Sequence, residues 1–148
     1  MKKRWEKLIN QLFETSYKEI FAVFFLLSVS FYNILTGYFL MVSGDEIVEK
    51  SRTYQLMDDL MTIDTWGFLF ILSAALILIA AFQESNAKFI NMAFGGLVGA
   101  IVLFLYSAAS AENAVTNLLP SRYALSACFN LFVAAMGGLE LWKTKRKK

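Results

Sequence analysis

Residues 20–42 read IFAVFFLLSVSFYNILTGYFLMV, from Ile20 to Val42, without a single charged side chain. A helix needs about 20 apolar residues to cross the roughly 30 Å hydrocarbon core of a bilayer. This stretch meets that length, and three more like it follow. They are WGFLFILSAALILIAAF over 66–82, FINMAFGGLVGAIVLFLYS over 89–107 and YALSACFNLFVAAMGGLELW over 123–142. Lipid offers the backbone no hydrogen-bonding partner, so only helices or a closed barrel can span it. Barrel strands would be about ten residues long with alternating polarity. These runs are too long and too evenly apolar for that. The expected fold class is therefore all-α, an integral membrane bundle of four transmembrane helices over 20–142.

The composition agrees with this reading. Of 148 residues, 57% are hydrophobic and 18% are charged, and the apolar excess falls in blocks. A soluble domain has less of the first and more of the second. The first apolar run is longer than the usual 7–15 residues of a signal-peptide core, so it is read as a retained span.

Lysine and arginine set the expected orientation. Lys2, Lys3, Arg4, Lys7, Lys18, Lys88, Lys143, Lys145, Arg146, Lys147 and Lys148 fall on one side, and only Lys50, Arg52 and Arg122 on the other. The positive-inside rule then places both termini and the 82–89 turn in the cytoplasm, with residues 143–148 as a basic tail. A bacterial cell membrane fits best, although the closing Lys145-Arg146-Lys147-Lys148 run also suits an endoplasmic reticulum protein. The basic tails adjoin apolar helices, so anionic lipid accounts for them and no nucleic-acid partner is expected.

Residues 1–19 carry a second pattern. Trp5, Leu8, Ile9, Leu12, Phe13, Tyr17 and Ile20 recur at helical spacing behind a lysine-rich start. This predicts an amphipathic helix lying on the cytoplasmic membrane surface. Trp5, Trp66 and Trp142 are the expected interfacial anchors, because indole rings favour the headgroup level. The first connecting loop, 43–65, is acidic. Within it Ile47, Tyr54, Met57 and Met61 fall on one helical face, which predicts a short helix over the bundle mouth.

Two constellations lie inside the predicted spans. In the third, Gly95 and Gly99 form a GxxxG pair, with Gly96 and Ala100 beside it. Small residues four apart let a neighbouring helix approach closely. The fourth span offers Ala127, Ala134 or Ala135, and Gly138 as the matching face. Gly95, Gly96, Gly99, Ala134 and Gly138 are thus the expected helix-packing residues. Packing within the chain is the simpler use of that groove. A homo-oligomer, or another membrane protein docked on the third span, is the other. The second constellation is polar. Ser30, Asn33 and Gly37 share a face of the first span, and Ser126, Asn130 and Gly137 a face of the fourth. Asn33 and Asn130 both fall roughly 10–14 Å inside the outer boundary, counted at 1.5 Å per residue. A hydrogen bond between them across the bundle is the expected use, and the lining of a water-filled pore is the alternative.

The sequence lacks the residues of most membrane chemistry. It has no histidine and one cysteine, Cys128. It therefore lacks the commonest haem and zinc ligand, and it has no disulfide pair and no His-Glu-x-x-His motif. No carboxylate lies at depth, where a proton-coupled transporter would need one. No cofactor, metal site or catalytic residue is expected, and the chain reads as a non-enzyme. Two function classes need only surfaces or holes. One is a membrane-embedded interaction or accessory protein. The alternative is a small oligomeric pore. In outline the chain resembles a bacteriophage holin, being short, lysine-rich at its ends and without catalytic residues. Its polar stripes are short, which favours the accessory reading over a pore.

Overall fold

The computed structural model describes residues 17–112 and 118–146. The expected amphipathic helix over 1–19, including Trp5, lies almost wholly outside the described residues, as do the last two lysines of the basic tail. All the regular elements of the described chain are α-helices. In order they are α1 (Tyr17–Lys50), α2 (Arg52–Leu60), α3 (Ile63–Phe82), α4 (Ala87–Ala111) and α5 (Leu119–Arg146). Four of these, all but α2, are long and apolar enough to cross a membrane. That is the build of a multi-pass membrane protein in contact with a lipid bilayer.

The distribution of side chains across the bundle supports that medium. Phenylalanines line the outside, with Phe21, Phe24, Phe31 and Phe104 exposed. Asparagine and serine sit inside, with Asn33, Ser30 and Ser73 at 0% exposure and Asn130 at 1%. Water would drive the opposite arrangement, because apolar surface leaves water and amides stay in it. In hydrocarbon the apolar exterior costs nothing, and the polar interior can bond to itself.

Lipid tails are as apolar as leucine, so helices here meet through shape and hydrogen bonds. Glycine positions decide which pairs close. At the α1–α3 crossing, a Cβ on Gly37 would fall 2.8 Å from the carbonyl oxygen of Gly67. At α3–α4, a Cβ on Gly95 would fall 2.9 Å from Leu76 Cβ and 3.0 Å from Ser73 O. At α4–α5, one on Gly96 would fall 2.6 Å from Ala134 N, and one on Gly137 2.6 Å from Phe89 O. These three pairs pack extensively, whereas α1 and α5 barely meet. Their seam carries aromatic rings instead of glycine. Phe25 stands edge-on to Phe129 at 6.0 Å and to Phe132 at 5.9 Å between ring centres. The bundle is thus a row, α1–α3–α4–α5, folded round until its first and last helices nearly touch.

Along its length the interior has three layers. One apolar cluster, at the α2 end, joins Leu40, Met57, Trp66, Phe70, Leu103 and Tyr106. A smaller one, at the other end, joins Leu26, Val29, Ile77 and Val133. The polar residues lie between the two.

The α2 end is capped by its own chain. The first span continues well past Val42, to Lys50, so α1 is about 51 Å long and outruns the hydrocarbon core. It stops at Ser51, whose extended backbone (φ −138°, ψ 124°) turns the chain into α2. Ile47, Tyr54, Met57 and Met61 then face the apolar cluster, with Met57 fully buried. The expected short helix over the mouth is present, with Ile47 contributed from the end of α1. Pro120 sits in the first turn of α5, where a missing N–H leaves no helix bond unmade.

Candidate functional site

One knot of polar side chains ties all four spans together. Asn33 of α1 donates from Nδ2 to Asn130 Oδ1 of α5 at 2.9 Å, and to Ser73 Oγ of α3 at 3.1 Å. Ser73 Oγ donates in turn to the carbonyl of Gly95 on α4 at 2.7 Å. Asn130 Nδ2 donates to Ser126 O at 3.0 Å and faces Asn33 Oδ1 at 3.5 Å. One turn away, Ser30 Oγ donates to Ala74 O at 2.9 Å. Among the described residues no buried side-chain nitrogen or oxygen lacks a partner. The arrangement is closed, and its chemistry is that of a clasp.

The third-span glycines make room for it, each toward a different neighbour. Gly95 faces Ser73, Leu76 and Ile77 of α3, while Gly96 faces Asn130 and Ala134 of α5. A Cβ on Gly99 would overlap Asn130 Oδ1 and Ser73 Oγ. The groove read from the sequence is therefore filled from inside the chain. The other side of the same helix, with Phe94, Leu97, Ile101 and Phe104, stays exposed.

Two expectations need correcting. Gly138 is no packing residue, for nothing lies within 4 Å of a Cβ placed on it; its neighbour Gly137 makes the close approach. One residue is 100° of helix turn, enough to move a position from the interface to lipid. Trp66 is no interfacial anchor. It is 1% exposed, and its Nε1 donates to Met57 O at 2.9 Å, fastening α2 to the bundle. Cys128 is exposed along the α1–α5 seam. Trp142 lies exposed near the end of α5, with the Arg146 guanidinium 3.9 Å from its ring centre.

The sequence reading passed over two features. Ser73 sits in an ordinary apolar run, and only its place opposite Asn33 gives it meaning. The other is a tyrosine cluster at the α2 end. Tyr106 and Tyr123 stack with ring centres 4.0 Å apart, and Tyr123 Oη donates to Tyr106 Oη at 3.2 Å. Tyr54 Oη bonds Tyr106 Oη at 2.7 Å. Tyr106 and Tyr123 lie near span ends and Tyr54 on the apolar face of the first loop, and their convergence is a tertiary fact.

The acidic end shows no ligand cluster among the described residues. Asp58 Oδ1 accepts from Ile63 N at 3.1 Å, placing a carboxylate at the positive end of α3. Among the described residues no three histidine, cysteine, aspartate or glutamate side chains gather as a metal site would require. Glu84 lies in the break between α3 and α4, Lys88 lies in the first turn of α4, and the two make no ion pair, whereas Glu140 and Lys143 pair at 2.6 Å. No family model, curated protein or solved structure matches the chain.

Proposed function

We propose that this chain is a non-enzymatic accessory protein of the membrane, which acts by binding another membrane component and is inserted with both termini in the cytoplasm. The clasp carries this reading. A pore, a transporter or an intramembrane enzyme needs polar groups left free at depth, to meet water, an ion or a substrate. Here the deep polar groups are spent on one another. Among the described residues the buried polar side chains are serine, asparagine and tyrosine, with no carboxylate, lysine or arginine. What remains for function is the outer surface. The lysine and arginine distribution supports the orientation.

Two measurements on the full chain test this. In liposomes loaded with a small dye, the protein should cause no leakage above empty controls. In native membranes, photocrosslinking from the exposed faces of α1 and α5 should trap one membrane protein reproducibly. Dye release that tracks protein dose would replace this reading with the pore.

A further inference from the structure

The α1–α5 seam is a cleft, and its character changes along its length. Near the chain termini it is apolar, about 560 Å³, lined by residues such as Phe21, Met92 and Met136. At the α2 end it widens to about 650 Å³, walled by Thr36, Phe39, Tyr54, Tyr106, Arg122 and Tyr123. A narrower space of about 320 Å³, holding Tyr32, Ser126 and Phe129, leads inward from there.

Three observations point to one kind of occupant for the α2-side half. Arg122 lines the wide end, is exposed, and has no ion-pair partner among the described residues. The tyrosine cluster has a donor to spare. Three hydroxyls carry three protons but share only two hydrogen bonds, so one O–H at the cleft has no acceptor among the described residues. A cation and a spare donor together suit a phosphate. Below them the walls turn apolar. The stretch from Phe39 to Phe25 rises about 21 Å along α1. That matches one leaflet, half of the roughly 40–45 Å of a bilayer with its headgroups. A partner's transmembrane helix would need the seam open from end to end, and Phe25 crosses it to meet Phe129 and Phe132.

We propose that the α2-side half of this seam is a binding site for one phospholipid of that leaflet. Its phosphate lies on Arg122 and the tyrosine hydroxyls, and one acyl chain runs inward between Tyr32 and Phe129. This goes beyond the accessory reading and stands or falls separately, because it is read on the purified chain alone.

Native mass spectrometry of the full-length protein tests it, with mixed micelles of phosphatidylglycerol or of diacylglycerol bearing the same chains. One phosphatidylglycerol should stay bound per chain, and diacylglycerol should not. Arg122→Gln changes an exposed side chain and should weaken retention about ten-fold, the worth of one charge-assisted bond. Ser126→Trp, which fills the cleft, should abolish retention while the protein stays monodisperse and helical. Equal retention of diacylglycerol would overturn the proposal, as would retention unchanged by Arg122→Gln. Displacement by millimolar inorganic phosphate would mark a free-anion site instead and overturn it too.

Discussion

Asn33 and Asn130 stand 97 positions apart in the chain, and the Asn33 amide meets the Asn130 carbonyl oxygen at 2.9 Å. The bond joins the first and last spans, whose backbones scarcely approach one another. Glycine draws the other helix pairs together. This pair is held by an amide clasp and a phenylalanine strut, with open cleft on either side.

The clasp should show as coupling between its members. Asn33→Leu and Asn130→Leu should each destabilise the protein, since each leaves the other amide short of a partner in hydrocarbon. The double substitution should cost less than the sum of the two. A coupling of about 0.6–2 kcal/mol is expected, the range for interhelical hydrogen bonds in membranes. Reversible unfolding in mixed micelles of all four variants measures it. Strict additivity would mean the two amides stabilise nothing through each other.

Adjacent glycines should behave in opposite ways. Gly96→Leu drives a branched side chain into the backbone of α5 at Asn130 and Ala134. It should cost at least about 3 kcal/mol, beyond ordinary overpacking, because backbone must move. Gly138→Leu points into open space and should change stability by no more than about 0.5 kcal/mol. Thermal unfolding in detergent separates the two. A severe effect at Gly138 would reveal a face that is covered in the membrane.

The sidedness inferred from lysine and arginine can be checked with a membrane-impermeant maleimide. In a Cys128→Ala background, Asp59→Cys on exposed α2 should label in intact cells. Lys143→Cys, exposed at the far end of α5, should label only after lysis. The reverse pattern would invert the orientation.

Much of this architecture was legible in the sequence, for a physical reason. A span must be long and apolar wherever it sits, so four runs with charged breaks give the helices, three of them within a few residues and the first short of its end at Lys50. Asn33 and Asn130 were also visible, because an amide deep in an apolar run is costly and needs a partner. Which side of a helix faces which neighbour was less visible. Gly137 and Gly138 are alike in sequence, and only the rotation of α5 against α4 tells them apart. Trp66 shows the same limit. Its position at a span end suits an anchor, until α2 folds back over it and turns the end of the span into interior.

That folding back makes Trp66 the most informative single position at the α2 end. The short helix α2 has nine residues, too few to hold together alone. It persists because Met57 is buried and because the Trp66 indole bonds the Met57 carbonyl. Trp66→Phe keeps most of the apolar contact and removes the N–H. It leaves a buried carbonyl short of that donor, although Met61 N also bonds it at 3.0 Å. The expected loss is about 1 kcal/mol, concentrated in α2 rather than spread through the bundle. Hydrogen exchange should then speed up about five-fold at the amides of 52–60. Exchange in α3 and α4 should stay as it was. Acceleration everywhere would mean that Trp66 supports the bundle as a whole, and α2 would lose its standing as a separately latched lid.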